Sequence, residues 1–230
     1  MTIALPRLAR VPPFERGITL GDFLVPIRLG ERISSRARHV LMIALGSLLI
    51  VVGARISFYL PGNPLVPVTL QTFGVLFGGA LLGSRRGVLA VLLYLVIGAI
   101  GVPVFAYSER LGEYASGIGT IAAWQGGALV LGPTGGYLVG FLLASALVGR
   151  LAELGWDRRL LGSLAAMLLA NAVIYVVGLP WLMAAAGLDP AQALEFGLLP
   201  FIPGDLLKLA VAAGLLPVGW WFVNRRPEGR

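Results

Sequence analysis

The chain has 230 residues, 57% of them hydrophobic and only 13% charged, with a mean hydropathy of +0.87. Soluble domains carry about 25% charged residues, so a water-soluble globular protein is excluded, and the length suits one bundle of about six spans at roughly 20 residues each. The net charge of +7 does not indicate nucleic acid, because the arginines lie at the ends of apolar stretches with no aromatic-basic interleaving.

Cysteine is absent, which removes disulfides, thiolate metal sites and thiol chemistry. His39 is the single histidine and stands beside Arg36 and Arg38 at the start of the first apolar stretch, where it reads as an interfacial residue. The first forty residues hold seven arginines and lack the compact order of a cleaved signal peptide.

Residues 1–37 read as a basic cytoplasmic leader, amphipathic between Ile18 and Ile33 or disordered. A six-helix domain follows over 38–224, and 225–230 form a short basic tail. The first span is expected at His39–Tyr59 and ends at Pro61-Gly62-Asn63-Pro64. The second covers Val68–Leu82, short for a crossing, so that either the helix begins inside Val66-Pro67-Val68 or the chain is thinned there. A tight turn at Gly83–Gly87 leads to a third span at Val88–Ile100. The interval Gly101–Gly132 is long and glycine-rich. The last three spans are expected at Thr134–Leu151, Leu160–Leu179 and Leu199–Val223. Gly74-xxx-Gly78 and Gly136-xxx-Gly140 suit close helix contact.

Charge orients these spans. The leader, Arg85-Arg86, the Arg150–Arg159 loop and the tail are arginine-rich, whereas the alternate loops are neutral or acidic. Six spans with both termini inside is the arrangement that puts every basic loop on one side. The fold class is therefore an all-α integral membrane bundle of six helices, N-in and C-in.

Ionisable groups in such helices are costly unless they are paired or serve a site. Asp205 and Lys208, three apart in Leu199-Pro200-Phe201-Ile202-Pro203-Gly204-Asp205-Leu206-Leu207-Lys208, share one helix face. Pro203-Gly204 suits a helix start, so Asp205 falls in the first turn. The two form either an internal ion pair or a ligand site, and the chemistry favours the site. Asn171, mid-span, suits an amide or urea group or else joins helices. Gln71 and Thr69 invite the same two readings. Arg55 reads as a snorkelling or paired residue.

Thr134, in Leu131-Gly132-Pro133-Thr134-Gly135-Gly136-Tyr137, can cap the fourth helix. Phe105, Tyr107, Tyr114 and Trp124, spaced by glycines, can form a ligand lid or an interfacial aromatic belt. No Walker spacing, nucleophile–base constellation or HExxH occurs, so the chain has no ATP-hydrolysing apparatus and no enzyme signature.

Four segments, in order, resemble BioY, the biotin-specific substrate-binding component of energy-coupling-factor transporters. They are Val66–Thr72, Gly98–Phe105, Leu131–Tyr137 and Leu199–Lys208. The resemblance spans most of residues 40–222. It implies a six-helix protein of the prokaryotic plasma membrane that binds biotin near the outer face with no resident cofactor. Its implied partners are a transmembrane coupling subunit and two ABC-type ATPase subunits.

Carried residue by residue, the resemblance puts Asp205 and Asn171 near the ureido head, Lys208 at an anionic or polar group, and Tyr107 and Tyr137 against ring or tail. Thr134 belongs to the same glycine-proline loop, and Gln71 and Phe105 fall within the quoted motifs. Segment 106–114 is longer and more charged than the family's loop; Arg110 within it is a candidate carboxylate partner. The first helix has Ala44, Gly46, Ser47 and Gly53 but no clean Ala-xxx-Ala face. The competing readings are uptake of another vitamin-like solute, a scaffold whose polar residues only hold helices together, and a membrane enzyme.

Overall fold

The computed structural model describes residues 17–24, 34–109, 111–125 and 127–224, without the side chains of Pro64 and Gln125. A single helical turn at Gly21–Leu24 precedes the bundle. The bundle helices are α1 (Ser35–Arg55), α2 (Gln71–Leu82), α3 (Ser84–Ala99), α4 (Gly135–Glu153), α5 (Leu160–Ala186), the short α6 (Pro190–Gly197) and α7 (Ile202–Asn224). Four stretches are long and apolar enough to cross a membrane: α1, α4, α5 and the run Pro190–Asn224. At 1.5 Å per residue the 12-residue α2 rises about 18 Å, well short of the ~30 Å hydrocarbon layer. The chain is an all-α, membrane-spanning bundle.

Three two-stranded antiparallel hairpins supplement the helices: β1 (Ser57–Leu60) with β2 (Asn63–Thr69), β3 (Tyr107–Ser108) with β4 (Glu113–Tyr114), and β5 (Ala122–Gln125) with β6 (Ala128–Leu131). Of the two alternatives at Val66–Val68, the helix start is therefore excluded. Pro64 and Pro67 cannot donate to a helix ladder, and the segment pairs as β2, with Val68 opposite Phe58. The first helix likewise stops at Arg55 rather than Tyr59, where β1 takes over. The fifth runs on to Ala186 through Pro180. Thr134 occupies the N-cap position of α4, but its side chain makes no capping hydrogen bond.

Helices approach closely wherever glycine removes a side chain. A Cβ on Gly74 would meet the α1 backbone at Ile50 at 3.1 Å, and one on Gly136 would meet Trp181 Cβ at 2.2 Å. The α4–α5 pair is the most extensive helix contact. Small-residue packing replaces the hydrophobic effect as the adhesive between helices in lipid.

The basic turns gather at one end of the bundle. The α2–α3 turn is one residue, Gly83 at φ +83°, a left-handed geometry that glycine adopts freely. Beside it Ser84 donates from its backbone N and from its hydroxyl to Glu153 Oε1, both at 2.8 Å. Arg86 Nη1 reaches Asp22 Oδ1 at 2.7 Å, and Gly17 N donates to Glu153 O. Burial pushes the Asp22 carboxyl up, but Arg86 and hydrogen bonds from Thr19 override it and hold the group below its usual range. Of the stretch Ile18–Ile33, residues 25–33 lie outside the described residues. Over 18–24 the chain is docked on the bundle, with Thr19 and Leu20 buried and Phe23 edge-on to Trp220.

At the same end the α4–α5 turn buries Asp157, which accepts from Trp220 Nε1 at 2.6 Å. Burial pushes this carboxyl up to about 6, against the lowering pull of Trp220 and Arg158. An unfolded aspartate titrates near 3.9, so the folded state holds its proton more tightly. The stability linked to that proton is complete below about pH 4 and is lost as pH rises through about 6. Asp157→Asn keeps an acceptor for Trp220 and removes the buried charge. Thermal unfolding in detergent is expected to show the wild type gaining stability from pH 7 to pH 5 and the variant lacking that gain.

Candidate ligand cavity

At the opposite end, a half-enclosed cavity of about 510 Å³ lies between α2, α4, α5 and α7 and is covered by the hairpins. Its volume falls within the ~300–1,000 Å³ of small-molecule sites. One side is apolar, with Leu65, Phe105, Leu138, Phe141, Ile174 and Phe201. Polar groups converge on the other side from three helices.

Asp205 is their centre. The 3-10 turn Leu199–Phe201 runs into α7, so Asp205 lies in the first helical turn and is only 5% exposed. Its Oδ1 meets Lys208 Nζ at 2.9 Å. Its Oδ2 accepts from the Tyr175 hydroxyl and from Asn171 Nδ2 at 3.3 Å. Lys208 is the only lysine of the chain, and its ammonium also lies 3.5 Å from the Thr72 hydroxyl. A carboxylate offers about four lone-pair sites. Three donors leave one acceptor position on a residue that lines the cavity, and the ammonium keeps a donor.

The structure brings together most of the residues expected from sequence. Asp205, Lys208, Tyr137, Thr134, Gln71, Tyr107 and Phe105 line the cavity. Asn171 stands behind them, touching Asp205 rather than the open space. Gln71 is buried and donates to the Tyr94 hydroxyl, which uses one of its amide hydrogens within the bundle. The Tyr137 hydroxyl donates to Gly197 O at 2.9 Å and ties α4 to α6, leaving its ring as the cavity wall. Arg110 lies outside the described residues.

The four lid aromatics divide. Phe105 is buried edge-on against Tyr94, and Tyr107 borders the opening. Tyr114 instead lies under the Arg55 guanidinium, 3.9 Å from its ring centre, while Arg55 donates to Pro103 O. Arg55 is thus paired. Trp124 is 73% exposed on β5 and stays outside the cavity lining, which takes its neighbour Ala123.

Sequence reasoning missed Tyr175 and Thr72. Tyr175 is four residues beyond Asn171 and so shares its helical face. That spacing was the available signal, since both must point at one partner.

Removing Lys208 alone leaves a buried carboxylate short of its cation, at a cost of about 3–5 kcal/mol, whereas replacing both partners is often neutral. Lys208→Met is therefore expected to lower the unfolding temperature and Asp205→Asn combined with Lys208→Met to restore most of it, measured in one detergent without ligand.

The BioY family model matches residues 29–225. A probable biotin transporter BioY from Pyrococcus horikoshii is 39% identical over 178 residues, covering 77% of this chain and 93% of that protein. The biotin transporter BioY of Thermotoga maritima is 38% identical over 181 residues, covering 76% and 92%. Among solved structures, the S-component for biotin from an ECF-type ABC transporter aligns with a TM-score of 0.67 at 25% identity, over 80% of this chain and 90% of that one.

Proposed function

The chain belongs to the BioY family, and on that footing we propose that it binds biotin with high affinity as the S-component of an energy-coupling-factor transporter. Uptake is driven by partner subunits, since this chain carries no catalytic or nucleotide-binding constellation of its own. A transmembrane coupling subunit and two ABC-type ATPases are the proposed partners. The protein is a multi-pass membrane protein, proposed for the prokaryotic plasma membrane.

The observation that carries this reading is the Asp205–Lys208 pair at the wall of an otherwise apolar cavity. The biotin head is neutral, with two ureido N–H donors beside one C=O. An acceptor and a donor 2.9 Å apart complement that edge, and a neutral pair suits a neutral head better than an anion. The ureido N–H is assigned to the remaining lone pair of Asp205 and the C=O to Lys208. Tyr175 and Asn171 hold the carboxylate in place, and the Tyr137 and Phe105 rings bracket the thioether ring. The valerate tail then runs to the mouth, where Tyr107 and Thr134 stand. Arg110 remains its proposed counter-charge on sequence grounds alone.

The crossing pattern is proposed as six spans with both termini cytoplasmic. The arginine-rich turns, joined by Arg86–Asp22, Ser84–Glu153 and Asp157–Trp220 at one end, support it. In that reading α2 crosses with help from the buried β2 residues Val66 and Val68. The division into leader 1–37, membrane domain 38–224 and tail 225–230 is proposed with it.

Calorimetric titration of biotin into purified protein freed of ligand is expected to give one-to-one binding in the nanomolar to low-micromolar range. Asp205→Asn and Lys208→Ala should each weaken it at least tenfold, since a charged hydrogen bond is worth about 1.5–3 kcal/mol. Unchanged affinity in both folded variants would remove the assignment. Absence of heat from folded wild type would keep the fold and reopen the ligand, leaving another solute or the scaffold reading.

A milder effect is expected for Tyr175→Phe, which leaves Lys208 and Asn171 on the carboxylate. Its loss should be a few-fold, about 1 kcal/mol for one net hydrogen bond, read in the same titration.

A further inference from the structure

A second cleft opens at the other end of the bundle and takes no part in the biotin site. It has a volume of about 680 Å³ and lies between the α4–α5 turn and the last turns of α7. Asn224 on its rim is 19 residues beyond Asp205 on α7, about 28 Å away at 1.5 Å per residue. The two cavities therefore sit at opposite faces of a ~30 Å hydrocarbon layer.

The charged side chains lining the cleft are cationic. Arg158 and Arg159 line it side by side in the turn. Arg158 is fixed from behind: its guanidinium stacks 3.8 Å over the Trp220 ring, and Trp220 is held by its N–H to the buried Asp157. Stacking orients the planar fork that matches phosphate oxygens. Arg159 is exposed on the lip. Arg158 and Arg159 outnumber the adjacent Asp157, so the turn favours an anion.

Two further observations narrow the ligand. Asn224 Oδ1 is buried and accepts no hydrogen bond among the described residues, and the residue belongs to the cleft wall. Exposed Trp221 (45%) and Phe222 (60%) continue outward from the same helix end, which is where acyl chains would lie. A soluble anion would use the arginines alone. A lipid uses all three features.

We propose that this cleft binds an anionic glycerophospholipid bearing a hydroxylated headgroup. Its phosphodiester lies on Arg158 and Arg159, a headgroup hydroxyl donates to Asn224 Oδ1, and the acyl chains run along Trp221 and Phe222. Basic pockets at helix ends recognise such headgroups in the leaflet they face. The consequence is that the α4–α5 turn and the end of α7 are clamped by lipid, at the far end from biotin.

The test is thermal unfolding of the full chain in nanodiscs of phosphatidylcholine alone, or mixed with phosphatidylglycerol or phosphatidylmethanol. Phosphatidylglycerol is expected to raise the unfolding temperature by several degrees and phosphatidylmethanol, which lacks the hydroxyls, by less. Arg159→Gln should lose most of the phosphatidylglycerol shift. Asn224→Ala should erase the difference between the two anionic lipids. Biotin affinity in both variants should match wild type and so certify the fold. If Arg159→Gln does not fold, Asn224→Ala alone decides. Equal shifts in wild type and variants would overturn the site. A shift of the same size produced in detergent by soluble glycerol phosphate would overturn the lipid as its occupant.

Discussion

The structure turns on a carboxylate that has no place in an apolar bundle unless its neighbours answer it. Asp205 is buried among helices that face lipid, and an unanswered charge there costs several kcal/mol. Lys208 answers from the same helix, Tyr175 and Asn171 from α5, and Thr72 of α2 touches Lys208 in turn. Three helices are thereby drawn to one point. The cavity exists because they meet there around polar groups that a solid hydrocarbon core would exclude.

The rest of the cavity end follows from this convergence. Helix-breaking prolines keep β2 extended beneath the opening. Asn63 Nδ2 ties the β1–β2 hairpin to Phe196 O at 2.6 Å, and Trp181 Nε1 ties the segment after β6 to α5 through Gly132 O at 2.9 Å. Arg55 anchors the segment before β3 and the ring of Tyr114. Irregular backbone is tolerated at this depth because it lines a cavity and finds partners in the protein. The other end is sealed differently, by ion pairs and short turns among arginines, where the chain meets water and headgroups. One end holds a neutral polar pair inside apolar walls, and the other presents fixed cations outward.

Much of this was legible in the sequence. Few charges and many long apolar runs forced helices, because lipid leaves no other way to satisfy backbone groups in an open chain. Asp205, Lys208 and Asn171 stood out because a polar group inside such runs is costly, so its presence needs a reason. Other features were invisible for equally physical reasons. Apolar residues face both lipid and core, so no periodicity told Phe105, which is buried on Tyr94, from Trp124, which is exposed. Tyr175 looked like one more aromatic in a span until its hydroxyl was seen on Asp205. The valines of β2 fit a helix start as well as a strand, and its two prolines are the discriminating signal.

The sequence by itself determined the membrane class, the family and the polar residues that an apolar bundle must account for. The class and the polar residues depend on composition and local spacing, and the family on its resemblance in four motifs, all of which chain order preserves. Only the tertiary structure decided that Asp205 has three donors and one free lone pair, that Gln71 and the Tyr137 hydroxyl donate within the bundle, and that Arg55 belongs to a loop anchor. It also decided that Arg158, Trp220 and Asn224 share a second cleft. Apart from the Lys208–Asp205 pair, each of these is a meeting of residues 23 or more positions apart, and sequence spacing carries no information about which distant side chains a close-packed bundle will press together.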